Sequence, residues 1–367
     1  MAMNRRALLV AAAATGVASA VQAQPDTDGM ADLLDHLRSE AGIPALGGAV
    51  VTPDGIAWLG VTGVRQSGRS DPVTSTDRWH LGSNTKAMTA ALYARLVEQG
   101  RASWDAPLRD LFADLTVDPA WDAVTIGHLF RHRAGVLDPA VMPVWMMTAW
   151  GDADVSELRS SLARTVLGAP PAGEFDRFAY SNAGYILAGA AIERLTGEPW
   201  ETTLRQEVFE PLGLTSAGFG APTGDNAWGH QGAGLRPKDP AVRGSDNPPA
   251  LGPAGTVHAS LQDYARFLRV FLRGGDGWLS ADSLAVLTAP GPQGSPAYAC
   301  GWGVITGPAW TGGAPALTHD GSNTLWLARA VVVPAKSTTL ICVANAADPA
   351  ESAIQGLTRS LIERFLA

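Results

Sequence analysis

The strand-like segments of this chain lie at its two ends and its helical patterns lie between them, which restricts the available folds more than any other feature. After a helical spacing over 28–41 (Met30, Leu33, Leu34, Leu37), stretches at 46–52 and 56–64 read as strands joined by the Pro53-Asp54-Gly55 turn. Four more short strands are expected at 299–306, 315–318, 324–333 and 338–345. An amphipathic helix from Ala350 to Ala367 follows, with Ile354, Leu357, Leu361 and Phe365 on one face. A strong helical pattern runs from 83 to Gly100, and 106–210 holds several more, broken by Gly and Pro. Helical spacing returns at 260–273 and 281–288. Residues 221–256 are poor in apolar side chains and rich in Gly, Pro, Asp and Asn, predicting a loop whose length is usual only for functional or disordered segments. The expected fold is α/β (α+β): an antiparallel sheet flanked by N- and C-terminal helices, with an all-helical region inserted. No internal repeat is visible.

Composition narrows the partners. With 46% apolar and 17% charged residues among 367, the chain has enough apolar material for a large core, and disorder is excluded. The formal charge is −8, and no Lys/Arg cluster could track a phosphate backbone, so nucleic acid is excluded as a partner. Residues 4–23 carry Arg5 and Arg6, a short run of small apolar residues and Val21-Gln22-Ala23, the pattern of a cleavable export signal. That run is shorter than the roughly 20 residues of a spanning helix and no second candidate follows, so no membrane anchor is expected. The paired arginines are compatible with twin-arginine export as well as the general route. The mature protein, at charge −10 without them, is expected in the periplasm or outside the cell. The signal lacks the cysteine a lipid-attached form would need. Cys300 and Cys342 fall on the first and fourth of the late strands, roughly 14 Å apart in a simple meander. A disulfide needs Cα atoms within about 7 Å, so two unpaired, buried thiols are expected.

No serine stands in a Gly-x-Ser-x-Gly setting, which removes the nucleophile elbow of the common α/β-hydrolases. Ser83, in His80-Leu81-Gly82-Ser83-Asn84-Thr85-Lys86, instead opens the helical run Ala87–Glu98. There it meets free backbone N–H groups and the positive end of the helix dipole, where an oxyanion would be stabilised. Lys86 is one of only three lysines and lies three residues on, so its amine reaches Ser83 on the same helix face. A lysine desolvated in such a cleft loses its proton and acts as a base. The plain alternative is a helix-capping serine beside a solvated lysine. The apolar helix start tells against it, because an unpaired charge there needs a reason.

Two further clusters carry usable chemistry. In Phe178-Ala179-Tyr180-Ser181-Asn182, just before a helical run from Ile186 to Leu195, Tyr180 and Asn182 are two apart and can share one cleft. A tyrosine pressed against a lysine ammonium is expected to have a lowered pKa, which suits proton transfer, and Asn182 offers a donor and an acceptor to substrate or to Lys86. A buried tyrosine and a capping asparagine are the alternative. In Thr318-His319-Asp320-Gly321-Ser322, read as a strand start, alternation puts His319 and Gly321 on one face and Asp320 on the other. Gly321 lets a substrate backbone approach, and His319 can donate a hydrogen bond or carry charge in acid.

In this order the three clusters resemble the Ser-x-x-Lys, Tyr/Ser-x-Asn and Lys-Thr-Gly motifs of the serine β-lactamase and penicillin-binding-protein superfamily. The chain is most similar to its class C-like branch, which also holds D-alanyl-D-alanine carboxypeptidases, D-aminopeptidases and esterases. Thr125-Ile126-Gly127-His128-Leu129-Phe130-Arg131-His132-Arg133-Ala134-Gly135 resembles that branch's T-I-x-x-L-L-x-H-x-S-G stretch. Ile192–Gly197, Glu210–Leu214, Pro253–Gly255 and Asp263–Leu268 are similar to its other recurring segments, so the likeness covers nearly all the mature chain. The resemblance implies a β-lactamase/DD-peptidase-like fold in one catalytic domain: sheet region 24–105 and 251–367, helical region with a long active-site loop 106–250, after a signal peptide at 1–23. It implies acylation of Ser83, base and acid duty shared by Lys86 and Tyr180, substrate binding by Asn182, His319, Gly321 and Ser322, and an oxyanion hole from the N–H groups of Ser83 and Ser322. It implies no cofactor.

One departure bears on substrate. His319-Asp320-Gly321 stands where lactamases have Lys-Thr-Gly, and a histidine near its usual pKa is mostly neutral at pH 7, so recognition of a substrate carboxylate should be weaker. The leading expectation is an exported hydrolase of a small ester, amide or D-amino-acid peptide. The alternatives are a class C-like β-lactamase and a penicillin-binding sensor with little turnover. His128 and His132 have metal-pair spacing, but no Glu follows His128, so no metal is expected. The Met- and Trp-rich stretch 142–150 is a candidate apolar pocket wall, and Trp228 and His230 are candidates to roof the cleft; plain packing and a plain surface loop explain them equally well. The sequence does not indicate an oligomeric state.

Overall fold

The computed structural model describes residues 27–143, 154–232, 234–292 and 296–367. The expected export signal, and the expected pocket wall from residue 144 onward, lie outside them. Six strands form the main sheet in the spatial order Gly55–Gly63, Ala45–Thr52, Thr338–Ala344, Leu327–Val333, Ala316–Ser322, Gly303–Ile305, every neighbouring pair antiparallel. The early hairpin thus joins the last strand, with Leu46 opposite Ala344. Ala45 through Val51 are buried without interruption because both faces of the sheet are covered. Leu46, Val50, Leu340 and Cys342 face the terminal helices Met30–Glu40 and Glu351–Phe365, which contribute Met30, Leu34, Ile354, Leu357 and Leu361. Ala45, Ala49, Val51, Ile341 and Val343 face the opposite core, which runs into the helical region.

In that region the helix Thr85–Glu98 is buried from Thr85 to Ala94, and four alanines on it let neighbouring helices close in all round. The helix Asn182–Thr196 packs beside it. Ser181 caps its start, accepting from the Gly184 N–H, and Gly197 ends it in the left-handed conformation (φ 76°) that favours glycine.

The late strands are displaced from their expected bounds. The first is only Gly303–Ile305, because residues 299–302 form a turn (Ala299 N–H to Trp302 O, 2.7 Å) that presses Gly301 onto the backbone of Ala87. Thr318–Ser322 closes a strand instead of opening one, and Leu327–Val333 starts late because the Asn323 side chain ties off the turn before it, accepting from the Leu325 and Trp326 N–H groups. Cys300 and Cys342 are free and buried, as expected, although Cys300 sits in that turn and not on a strand. A second sheet pairs Arg78–His80 and Gly218–Phe219 with Val257–Ser260. It is invisible to pattern reading because its strands are too short for a period to register.

Candidate active site

The small sheet delivers Ser83. His80 lies opposite His258, the Leu81 N–H donates to Val257 O (2.9 Å), and the chain then turns through Gly82 at φ 52° into Ser83 and the helix Thr85–Glu98. A Cβ on Gly82 would stand 2.3 Å from Ser322 N; one on Gly321 would stand 2.0 Å from Leu81 O and 2.7 Å from Ser83 N. The backbone amides of Ser83 and Ser322 therefore meet at one junction that only two glycines permit. Gly321→Ala is expected to lower kcat/KM about 100-fold by forcing these amides apart, with a smaller loss of stability. Turnover within twofold of the parent, measured alongside thermal unfolding, would show that this close approach is not needed.

Lys86 is fully buried. Its Nζ lies 2.9 Å from Ser83 Oγ, 2.8 Å from Asn182 Oδ1 and 2.7 Å from Ala254 O, and 4.9 Å and 5.5 Å from the ring centres of Tyr180 and Tyr185. Burial lowers its pKa to about 7, against a smaller raising effect of the Asp138 charge. A neutral amine has two N–H bonds and one lone pair. Asn182 Oδ1 and Ala254 O accept the two hydrogens, leaving the lone pair for the Ser83 hydroxyl.

Asn182 has no freedom to flip. It opens its helix with its N–H 2.5 Å from Asp138 Oδ1 and its Nδ2 2.8 Å from Asp138 Oδ2, so the amide oxygen must face Lys86. Asp138 escaped the sequence reading because Asp138-Pro139 looks like turn punctuation. Its position three residues after Gly135, at the end of the segment quoted above, was the available signal.

Tyr180 reverses an expectation. The residue is 38% exposed, but burial around the hydroxyl raises its pKa above the usual tyrosine value, outweighing the hydrogen bond with Ser83, which lowers it. The lowering expected from a neighbouring ammonium does not prevail because the desolvated Lys86, with its pKa at about 7, has given up its proton well below the pH at which the phenol would ionise. Tyr180 is therefore a protonated phenol. Its ring rests on His132 (centroids 4.4 Å apart), a residue at φ 57° whose Nδ1 accepts from the Ser181 N–H. Burial keeps His132 neutral by pushing its pKa well down. His128 instead closes a capping box with Thr125, so the two histidines serve separate turns. Among the described residues, no group of three or more His, Cys, Asp or Glu is placed to hold a metal ion.

His319 and Gly321 are buried on one face and Asp320 is exposed on the other, bound to Arg329 at 2.6 Å. Both nitrogens of His319 are engaged: Nδ1–H donates to Asp320 O (2.7 Å) and Nε2 accepts from Tyr298 OH (2.9 Å). Burial, reinforced by the Lys86 charge, lowers its pKa to about 4. The expected hydrogen-bond donor and acid-range cation is thus a neutral ring whose only N–H is already used, and it turns cationic only in strong acid. Tyr298 was missed because it stands alone in a Pro- and Gly-rich loop.

The long loop contributes elsewhere than expected. His230 accepts from the Ser67 N–H at Nε2 and binds Asn345 O through Nδ1, while the Trp228 N–H donates to Arg65 O. These contacts fasten the loop to the Arg65–Ser67 turn and the sheet end, which is anchorage and not a roof. What the loop brings to the site is Ala254 O, and Asn247 Nδ2 steadies the neighbouring Gly255 O (2.8 Å).

The family model described as Beta-lactamase matches residues 30–362. The chain belongs to that family. It is 30% identical over 260 residues to "Penicillin-binding protein 4" of Amycolatopsis lactamdurans, covering 70% of this chain and 65% of that protein. It is also 30% identical over 173 residues to "Esterase EstB" of Burkholderia gladioli, covering 42% and 41%. The chain spans about three fifths of the length of the first curated relatives it matches. Among solved structures, a class C β-lactamase from Rhodobacter sphaeroides superposes with TM-score 0.74 at 22% identity, covering 93% of this chain and all of the other. An octameric penicillin-binding protein homologue from Pyrococcus abyssi gives 0.75 at 22%, covering 93% and 79%.

Proposed function

We propose that this protein is an exported hydrolase of small esters and amides, D-amino-acid peptides among them, and that it works through an acyl-enzyme on Ser83. The observation that carries the reading is the buried Lys86 amine 2.9 Å from Ser83 Oγ, with both its hydrogens directed elsewhere. Lys86 takes the Ser83 proton as Oγ bonds to the substrate carbonyl carbon, and the oxyanion forms against the Ser83 and Ser322 amides. When the carbon–leaving-group bond breaks, the Tyr180 phenol protonates the departing oxygen or nitrogen and recovers its proton from the Lys86 ammonium. Water then attacks the ester, its proton going to Lys86, and Ser83 is released with its hydrogen restored.

The preference for neutral substrates rests on His319. Its ring offers no cation and no spare N–H to a carboxylate, so penicillins and D-Ala termini lose the contact that a lysine would give. The relatives named as an esterase and as unguisins hydrolases, and the solved D-stereospecific amidohydrolase from Streptomyces, support acyl transfer on more than one substrate class. Export rests on the signal pattern at 4–23.

The test follows intact-protein mass over time after adding benzylpenicillin or p-nitrophenyl acetate, with Ser83→Ala as control. Ester turnover that needs Ser83, with slow or no loss of penicillin, is expected. Rapid penicillin turnover would make the protein a lactamase, and a persistent penicilloyl adduct would make it a sensor. Tyr180→Phe should lower ester kcat about 10²-fold. Unchanged turnover there would remove Tyr180 from the proton path.

A further inference from the structure

Behind the two amides of the oxyanion hole lies a carboxylate that the mechanism above does not use. Asp246, in the long loop, places Oδ1 2.8 Å from His80 Nε2 and 2.7 Å from Asn323 Nδ2. His80 Nδ1 accepts from the Gly82 N–H (3.1 Å), which leaves Nε2 as the nitrogen that meets Asp246, in close contact but without the N–H aligned on the carboxylate oxygen. Gly82 immediately precedes Ser83, and Asn323 immediately follows Ser322. One oxygen thereby touches both walls of the hole, one arm being close contact with a ring and the other a hydrogen bond from a side-chain amide. His80 is 1% exposed and is stacked on Trp326, so neither arm can swing freely.

We infer that Asp246 is a positioning residue for the reaction, setting the separation of the Ser83 and Ser322 amides through His80 and Asn323. It touches no substrate; it acts only by fixing where two donors stand when charge develops on the substrate oxygen. An error of about 1 Å in such donors costs on the order of 10²-fold in rate, whereas ground-state binding depends on them little. In its catalytic part the inference rests on the serine-hydrolase reading; the coupling of the two walls does not.

The test compares Asp246→Ala, Asp246→Asn and His80→Asn in the full chain. Asn at 246 keeps an oxygen for both contacts. His80→Asn keeps an acceptor for Gly82 but cuts the arm to Asp246. With p-nitrophenyl acetate, Asp246→Ala should lower kcat about 10- to 100-fold with KM within about threefold. Affinity for phenylboronic acid, whose tetrahedral adduct on Ser83 needs the same amides, should fall by a similar factor. Asp246→Asn should recover most of both losses. Amide hydrogen exchange read by mass spectrometry should speed up at 80–84 and at 320–326 together in Asp246→Ala. Unchanged exchange at either segment, or an Asn variant as impaired as Ala, would overturn the inference. If Asp246→Ala does not fold, His80→Asn carries the same expectation for kcat and for boronate affinity, and normal values there would overturn it. If the unmodified protein neither hydrolyses the ester nor binds the boronate, the functional reading has failed, and exchange alone then decides whether Asp246 couples the walls.

Discussion

Lys86→Met is expected to lower kcat/KM for a p-nitrophenyl ester by about 10⁴-fold, and Lys86→Arg by nearly as much. The two substitutions fail for different reasons. Methionine fills the volume with no lone pair; arginine cannot be deprotonated in the working range, so its charge persists where Asn182 Oδ1 and Ala254 O have been arranged around a neutral amine. In the unmodified protein the acid limb of kcat/KM should rise with pH through about 7, because burial has lowered the Lys86 pKa to that value and only the neutral amine accepts the Ser83 proton. His319, lowered to about 4, is already neutral across that range and cannot supply the limb. The same shift has a consequence for stability. Between about pH 7 and the usual lysine pKa the unfolded chain holds a proton at this position that the folded chain does not, so stability should rise with pH over that interval. Lys86→Met should flatten that rise. A pH–rate profile and denaturant titrations at several pH values check both statements. An acid limb unmoved in Lys86→Arg, with normal rates above it, would assign the base elsewhere.

Much of this site was legible because its chemistry is carried by residues in short, local motifs. Ser83 and Lys86 are one helical turn apart, so their contact follows from helix geometry alone. Strand alternation separates His319 and Gly321 from Asp320 wherever the strand begins, and the assignment survived although the strand proved to end at Ser322. What escaped depends on contacts far apart in sequence. Ala254 O reaches Lys86 across 168 residues, and Asp138 fixes Asn182 across 44. The loop 221–256 was read by its composition, which says that it lacks a core face but not which backbone oxygen it points inward. The error over Tyr180 was energetic, because the expectation assumed a charged Lys86. Once desolvation has brought the Lys86 pKa to about 7, no ammonium remains at the pH where the phenol would ionise, and burial of the hydroxyl prevails.

Arg159 sets the most severe stability expectation, and it bears on the same lysine. The side chain is fully buried on the helix Val155–Leu167, and its guanidinium contacts Glu193 at 2.6 Å, Glu201 at 2.5 Å, Pro249 O at 3.0 Å and Ala250 O at 3.1 Å. It therefore joins three helices to the segment leading into Ala254. Arg159→Met keeps much of the volume but strands two carboxylates and two carbonyls. Breaking a buried pair from one side costs about 3–5 kcal/mol, and because Glu201 is 26% exposed the lower end is expected, a fall of about 5 °C in Tm for a chain of this size. Adding Glu201→Leu should restore part of it by removing a charge left without its partner, a recovery that a pure packing defect would not show. Catalysis should report the same loss at a distance. With residues 249–250 released, Ala254 O no longer closes the floor under Lys86, water reaches the amine, and its pKa climbs back towards the usual lysine value. The acid limb should then move above pH 7 in Arg159→Met while the rate at its alkaline plateau changes little. A destabilised variant whose limb stays near 7 would show that the Arg159 cluster supports the fold without shaping the base.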